Sequence, residues 1–369
     1  TGVLLAPSTL ALPYWGKVQE LRDAVLEFRK SGKPVVAFLE YGGDREYYLA
    51  TAASRVYLLP ASPLDLAGVA SYGVFLRGAL DQAGVTPDFV HIGDYKTAPN
   101  QFTEKGFTPA DREMTSALNR EAYDQLVRGI ADGRRKSEAD VRALLDRGPF
   151  TPDEAVDLGL VDDLLYDDEL DDEIAALSED ESDDVERLED VDYWRGAGIE
   201  PQGPHRIALL YAVGTIASGD SSFEGLGDGV VGSDTFVDQI REIRDDPSID
   251  AVVLRIDSPG GSSVASDVIW RELVVAKEDE PSRPLIASMS DLAASGGYYL
   301  AMAADAIVAQ PGTLTGSIGI FGGKLAFGGT LEKLGVHTET IVHGRNADIE
   351  SPLRPFTPEQ REKIQQQMQ

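Results

Sequence analysis

Apolar residues recur along this chain in short blocks separated by segments with helical spacing. The blocks at residues 3–6, 33–39 and 56–60 are typical of buried strands. Apolar positions at helical spacing occupy residues 18–30, between the first two blocks, and again residues 47–54. Strands that alternate with helices in this order predict a mostly parallel α/β sheet with flanking helices.

Three segments of the first half reappear in the second half in the same order. The matching pairs are residues 33–37 with 283–287, residues 47–50 with 298–301, and residues 107–113 with 356–362. Their displacements of 250, 251 and 249 residues are too uniform to arise by chance. The chain is therefore predicted to hold two tandem copies of one α/β unit.

The boundaries of the two copies follow from this repeat. We assign residues 1–161 to the first copy, truncated at its start, and residues 205–369 to the second, truncated at its end. Residues 162–204 lie between them and are predicted to form an acidic linker or exposed helix, because the run 162–192 is too acidic to hold a core. The chain begins inside an apolar run, so we also expect an upstream segment.

Composition narrows the functional classes. The chain has 369 residues, is 42% hydrophobic, and carries a formal net charge of −30, which argues against a nucleic-acid partner. It has no cysteine, which excludes thiolate metal sites, a cysteine nucleophile and disulfides. The acidic clusters match no calcium-loop spacing, so no metal or cofactor is expected. Such an excess of carboxylates would suit a salt-rich habitat.

The serine at position 295 is the first candidate for chemistry. Ser295 follows an apolar segment, precedes Gly296 and Gly297, and is followed by a helical pattern. A strand that turns into a helix there presents a hydroxyl beside unobstructed backbone N–H groups, which suits a nucleophile and an oxyanion. A plain helix N-cap is the alternative that these residues alone leave open.

The two copies differ at chemically informative positions. Ser295 falls on Asp44 in the first copy, whereas Lys96 of the first copy falls on Ala347 in the second. One copy thus holds the amine and the other the hydroxyl, as a divided serine/lysine site would. Lysine acts as a general base when burial lowers its pKa enough to leave a neutral amine. An ordinary solvated lysine is the alternative.

Four segments resemble those of a known family. They are residues 93–97 (GDYKT), 256–261 (IDSPGG), 288–298 (SMSDLAASGGY) and 314–322 (LTGSIGIFG). Together they resemble the signal peptide peptidases of the protease IV type, in the long form with two tandem copies. The resemblance implies the Clp protease/crotonase-like fold and a serine endopeptidase that degrades remnant signal peptides within or beside the membrane.

The same resemblance implies roles for individual residues. Ser295 would be the nucleophile, Lys96 the general base, and Ser317 the residue that orients the lysine amine. The reaction would pass through an acyl-enzyme that water hydrolyses. Lys96 would meet Ser295 of its own chain or of a neighbouring one.

The oxyanion hole and the groove complete the expected site. Backbone N–H groups of Gly260, Gly261 and Gly296 would bind the oxyanion. The family's usual asparagine before Ser-Pro-Gly-Gly is replaced by Asp257, which places a carboxylate near the site. Because signal peptides are apolar, we expect a groove lined by apolar side chains, namely Leu292, Leu314, Ile318 and Phe321.

Partners and location also follow from the resemblance. We expect peptide substrates, a homo-oligomer that is commonly a tetramer, and a removed N-terminal anchor that holds the catalytic part outside the cytoplasmic membrane.

Other functions remain open on the sequence alone. A crotonase-type acyl-CoA enzyme also uses Gly-Gly turns as oxyanion holes, but gives Ser295 and Lys96 no role. An inactive scaffold of the same fold is the third interpretation. A histidine triad is less favoured, because none of the four histidines lies in a recognisable catalytic setting.

Overall fold

The computed structural model describes residues 2–7, 10, 14–177, 185–197, 203–222 and 229–368. Within these ranges the chain forms two α/β units, here called the first repeat (residues 2–177) and the second repeat (residues 203–368). The helix α9 (Asp190–Gly196) lies between them.

The first repeat contains seven strands and eight α-helices among its described residues. In chain order they are β1 (Val3–Leu5), α1 (Gly16–Arg29), β2 (Val35–Leu39), β3 (Gly42–Gly43), α2 (Asp44–Ala50), β4 (Arg55–Leu58), β5 (Leu64–Asp65), α3 (Arg77–Ala83), β6 (Thr86–His91), α4 (Asn100–Thr103), α5 (Pro109–Arg134), α6 (Glu138–Leu145), α7 (Pro152–Asp157), β7 (Asp163–Leu164) and α8 (Leu170–Leu177).

The second repeat contains eight strands and five helices among its described residues. In chain order they are β8 (Ile207–Val213), β9 (Thr215–Ala217), β10 (Val230–Gly232), α10 (Ser233–Asp245), β11 (Ala251–Ser258), α11 (Ser263–Asp279), β12 (Leu285–Ala294), α12 (Gly296–Ala301), β13 (Ala306–Val308), β14 (Leu314–Gly316), β15 (Phe321–Ala326), α13 (Gly328–Lys333) and α14 (Pro358–Gln367).

Each repeat is centred on a parallel sheet. The first has the order β1-β2-β4-β7, and the second has the order β13-β12-β11-β8 with β14 paired to the end of β12. Every residue of β2 is buried, as expected of a central parallel strand covered on both faces. Separate apolar cores fill the two repeats. The predicted tandem α/β architecture is confirmed.

Corresponding strands pair in corresponding register, which supports the repeat independently of residue identity. Val3 pairs with Val35 in the first sheet, and Val253 pairs with Ile286 in the second. These partners are displaced by 250 and 251 residues, the displacement found in the sequence. The two copies therefore share their topology as well as their sequence pattern.

The predicted linker is partly incorporated into the first repeat. Strand β7 pairs with β4, and Leu170 at the start of α8 is fully buried against Val36, Phe38 and Tyr57. Apolar residues spaced along α8 supply this contact despite the acidic positions between them. Strand β7 and helix α8, which follow residue 161, thus pack with the first repeat. Residues 178–184 and 198–202 of the predicted linker lie outside the described ranges.

A two-stranded antiparallel sheet joins the repeats. Strand β6 of the first pairs with β15 of the second along six residues, from Thr86 opposite Ala326 to His91 opposite Phe321. The segment that follows β6 carries Lys96, and the loop that precedes β15 carries Ser317. This pairing therefore brings the lysine of one repeat to the serines of the other.

Candidate active site

Ser295 lies where β12 ends and α12 begins. Its backbone has φ 52° and ψ −116°, a conformation that L-residues with a side chain rarely adopt. The Ser295 hydroxyl makes no capping hydrogen bond to α12, so the helix-cap alternative does not describe it. Its N–H donates to the Gly316 carbonyl at 2.8 Å. The backbone is thus held in a strained turn that leaves the hydroxyl available.

The Lys96 side chain reaches this hydroxyl from the first repeat. Its Nζ lies 3.1 Å from Ser295 Oγ, although the two residues are 199 positions apart. Lys96 is only 4% exposed, and none of the ion pairs in the described ranges involves it. Burial lowers the Lys96 pKa below its ordinary value, which favours the neutral amine that a general base requires.

Ser317 contacts the same amine with two atoms. Lys96 Nζ lies 2.6 Å from the Ser317 carbonyl oxygen and 3.0 Å from its Oγ. Both Ser317 oxygens accept from the Lys96 amine, so they hold Lys96 Nζ in place beside Ser295 Oγ. Ser317 has φ 50°, and Gly319 follows with φ 123°. A side chain at Gly319 would approach Ile92 O to 2.7 Å, so the two loops pack closely.

The glycine turn after β11 lies against Ser295. A Cβ at Gly260 would stand 2.8 Å from Ser295 Cβ and 2.4 Å from Gly296 N, so only glycine fits there. The Gly260 N–H donates to Ser258 Oγ at 3.1 Å and is already engaged. Within the described ranges, no acceptor is found for the N–H groups of Gly261 and Gly296. These two, rather than Gly260, are available to an oxyanion.

The predicted groove residues lie on β12, on β14 and in the segment that leads into β15. Leu292 and Leu314 are paired between β12 and β14 and are half-buried. Ile318 and Phe321 are exposed, the first beside Ser317 and the second at the start of β15. The four side chains therefore belong to the segments that carry Ser295 and Ser317.

Two residues near the site were not anticipated from the sequence. Ser258 Oγ donates to the Gly214 carbonyl at 2.6 Å while accepting from Gly260, which braces the glycine turn. Lys17 of α1 lies 2.5 Å from Asp257, the carboxylate that stands where the family usually has asparagine. Ser258 could have been noted from its place directly before Pro-Gly-Gly, but Lys17 carries no local signal.

No metal centre and no histidine triad are found in the described ranges. No group of three or more potential ligand side chains there could hold a metal ion. His91 contacts the Gly93 carbonyl through Nδ1 and is exposed, which fits a turn-stabilising role. None of the described helices is both long enough and apolar enough to cross a bilayer.

Comparison with known proteins identifies the family. The model of peptidase family S49 matches residues 27–180 and 277–369, which include Lys96, Ser295 and Ser317. The chain belongs to peptidase family S49. The resemblance to protease IV-type signal peptide peptidases is thereby confirmed.

Individual relatives agree with this assignment. The "Serine protease SPPA, chloroplastic" of Arabidopsis thaliana is 36% identical over 365 residues, covering 95% of this chain and 53% of that protein. "Protease 4" of Salmonella typhi is 34% identical over 380 residues, covering 100% of this chain and 59% of that protein. This S49 chain thus spans a little more than half the length of these relatives.

Among solved structures, a peptidase from Plasmodium falciparum matches with a TM-score of 0.25 and 15% sequence identity, covering 40% of this chain and 67% of that one.

Proposed function

We propose that this S49 protein is a serine endopeptidase in which Ser295 is the nucleophile and Lys96 the general base. The observation that carries the proposal is the 3.1 Å contact between Lys96 Nζ and Ser295 Oγ, made by a buried lysine that has no carboxylate partner among the described residues. That distance is in the range required of a nucleophile and its base. An acyl-CoA enzyme would give this contact no role.

The geometry supports a two-step mechanism. Neutral Lys96 accepts the Ser295 proton as Oγ attacks the peptide carbonyl, and Ser317 holds the amine in line. The N–H groups of Gly261 and Gly296 stabilise the resulting oxyanion. The Lys96 ammonium then protonates the departing amine, which leaves an acyl-enzyme. Lys96, neutral again, activates the water that hydrolyses the ester and frees Ser295.

Peptide cleavage by single variants tests this proposal. Ser295→Ala and Lys96→Ala should each abolish turnover while leaving the circular dichroism spectrum unchanged. Lys30→Ala is the matched control, because Lys30 pairs only with Glu27 on the surface. Retained cleavage by Lys96→Ala would contradict the assignment of the base.

The proposed substrates are apolar peptides such as remnant signal peptides. The support is the placement of Leu292, Leu314, Ile318 and Phe321 on the segments that carry Ser295 and Ser317. Each apolar side chain of a peptide that becomes buried in an apolar groove makes the binding free energy more favourable. Leucine-rich peptides should therefore have higher kcat/KM than charged peptides of equal length. The reverse order would contradict this substrate class.

A homo-oligomer is the proposed assembly, and the repeat indicates how copies would join. The counterparts of β6 and β15 are residues 337–342 and residues 70–75, and neither forms a strand in this chain. Both are exposed, with Tyr72 at 91% and Ile341 at 90%. Pairing residues 70–75 of one copy with residues 337–342 of the next would repeat the β6–β15 contact and permit a closed ring such as a tetramer.

Light scattering tests this assembly. Tyr72→Asp should lower the oligomer mass, whereas Tyr193→Asp on the exposed helix α9 should not. An unchanged mass for Tyr72→Asp would contradict the proposed contact. The contact between Lys96 and Ser295 within one chain supports a dyad formed by residues of the same chain.

We also propose that the catalytic part works outside the cytoplasmic membrane, held there by an N-terminal anchor. The support is the family membership alone. Fractionation of cells that express the full-length protein would test it, and recovery of the protein in the cytoplasmic fraction would contradict it.

A further inference from the structure

The strand that carries Ser295 is irregular just before the nucleophile. Ile256 of β11 pairs with Met289 of β12, but Ser258 pairs with Ala293, so β12 holds two extra residues in this interval. The bulge comprises Ser290, Asp291 and Leu292. Bulges of this kind bend a strand and redirect the side chains that follow it. The direction in which the Ser295 side chain points therefore depends on the contacts that fix this bulge.

Two carboxylates accept backbone N–H groups here, one from the bulge itself and one from helix α1 beside it. Asp257 Oδ1 accepts the Leu292 N–H at 3.2 Å, in place of a missing strand partner. Asp291 Oδ1 accepts the Lys17 N–H at 2.8 Å, at the start of α1. The side chains of Asp257 and Asp291 are only 15% and 2% exposed. Two poorly hydrated negative charges next to one strand would repel each other unless a cation neutralised them.

Lys17 of the first repeat supplies that cation. Its Nζ lies 2.5 Å from Asp257 Oδ2 and 3.4 Å from Asp291 Oδ2. Asp291 Oδ2 has no hydrogen-bond partner in the described ranges, so the ammonium is its electrostatic compensation there. Burial alone would lower the Lys17 pKa, but the hydrogen bond and charge of Asp257 outweigh it and raise the pKa. Lys17 is therefore a permanent cation at neutral pH.

The helix that carries Lys17 is seated directly on the bulge. A Cβ at Gly16 would stand 2.7 Å from the Ser290 carbonyl oxygen, so this contact requires glycine. One turn later, Glu20 makes a two-pronged ion pair with Arg255, which also donates to Ser288 and Ser290. Helix α1 of the first repeat thus holds β11 and β12 of the second at the point where they enter the active site.

We propose that Lys17 is a positioning residue for the pair formed by Ser295 and Lys96. By neutralising Asp257 and Asp291, Lys17 fixes the bulge of β12, and the bulge in turn fixes the position of Ser295 relative to Lys96. This rests on the proposed peptidase function. It also assigns an effect to Asp257: with Lys17 present, the carboxylate serves as an acceptor for Leu292 N–H and as the anchor of the first repeat. Lys17 does not touch the substrate and takes no proton.

The test compares kcat per titrated active site among purified variants. Lys17→Met removes the charge but keeps most of the side-chain volume. We expect kcat to fall about tenfold or more with a smaller change in KM, because about 1 Å of misplacement costs on the order of 10²-fold in rate. Lys30→Met is the matched control and should keep wild-type kcat, since Lys30 pairs only with Glu27 on the surface.

Rescue separates positioning from a general loss of stability. Lys17→Met/Asp257→Asn removes one uncompensated charge, and the amide oxygen still accepts from Leu292, so most of the lost kcat should return. Should Lys17→Met not fold, Lys17→Gln, which keeps a donor without the charge, takes its place in both measurements. A kcat within about twofold of wild type for the single variant, or no recovery in the double variant, would overturn the inference.

The activity of the wild-type protein distinguishes a failure of this inference from a failure of the proposed function. A wild-type protein that neither cleaves peptides nor reacts at Ser295 contradicts the peptidase assignment itself. An active wild type with an equally active Lys17→Met variant contradicts only the role of Lys17.

Discussion

Gly319 gives a direct test of how closely the two repeats must approach for the dyad to form. A Cβ at this position would stand 2.7 Å from Ile92 O and 3.8 Å from Lys96 Cβ. Restoring ordinary contact at 3.4 Å with Ile92 requires a movement of about 0.7 Å, because 3.4 less 2.7 is 0.7. If that shift were passed on to Lys96 Nζ, its 3.1 Å contact with Ser295 Oγ would lengthen beyond hydrogen-bonding distance.

We therefore expect Gly319→Ala to lower kcat by about 10- to 100-fold, since misplacement of about 1 Å costs on the order of 10²-fold. The positive φ of 123° adds strain of about 1–3 kcal/mol, which a fall in Tm would report. The assay is hydrolysis of a fluorogenic leucine-rich peptide, normalised to titrated Ser295.

Gly32→Ala is the matched control for strain. Gly32 also has a positive φ, 80°, but a Cβ there would meet nothing within 4 Å. It should lose stability without losing kcat per active site. A Gly319→Ala protein that folds and keeps wild-type kcat would refute the view that the loop contact sets the dyad distance.

Three further predictions concern charge. The acylation rate should rise with pH as Lys96 loses its proton, with a midpoint below the ordinary lysine pKa of 10.5, because burial lowers it; a flat pH profile would contradict this. Burial raises the Asp44 pKa from 3.8 to about 6, so the folded protein binds the proton of Asp44 more tightly than the unfolded chain does. This proton binding stabilises the folded state fully below about pH 4, and the stabilisation is lost as pH rises through about 6. In Asp44→Asn, the free energy of unfolding measured with urea should change less between these two pH values, by on the order of 1 kcal/mol. A pH profile identical to that of wild type would exclude a contribution from Asp44. Stability should also rise in molar salt, which thermal unfolding would measure, because screening relieves the −30 net charge.

The architecture could be predicted from the sequence because strands, helices and the tandem repeat each produce a regular spacing of apolar or matching residues. Alternating apolar blocks gave the parallel sheets, and the uniform displacement between matching segments gave the tandem repeat. The comparison of Ser295 with Asp44 and of Lys96 with Ala347 then singled out a divided pair, which the structure brings to 3.1 Å. Divergence between copies located the candidate site without any spatial information.

Contacts between the repeats could not be predicted in the same way. The pairing of β6 with β15 and the seating of Lys17 on Asp257 join positions more than two hundred residues apart. Neither has a sequence period or a local motif, because each depends on how two finished units pack. The hydrogen bond from the Gly260 N–H to Ser258 Oγ could not be predicted from the sequence either, since it depends on the rotamer of the Ser258 side chain.

The acidic stretch between the repeats shows a related limit of the sequence. The interpretation of residues 162–192 rested on their net charge. Four apolar residues are nevertheless enough to pack this segment onto the first sheet, namely Leu165, Leu170, Ile174 and Leu177. Leu170 is fully buried there. In an amphipathic helix the spacing of apolar residues decides burial, and the number of charges on the opposite face does not.

The rate at which a fluorophosphonate modifies Ser295 tests the central claim most directly. In wild type, mass spectrometry of the labelled protein should place a single adduct on Ser295. Lys96→Ala should slow that reaction by about 10²- to 10⁴-fold, the usual contribution of a general base. An adduct on another residue, or equal labelling rates in wild type and Lys96→Ala, would contradict a Ser295/Lys96 dyad.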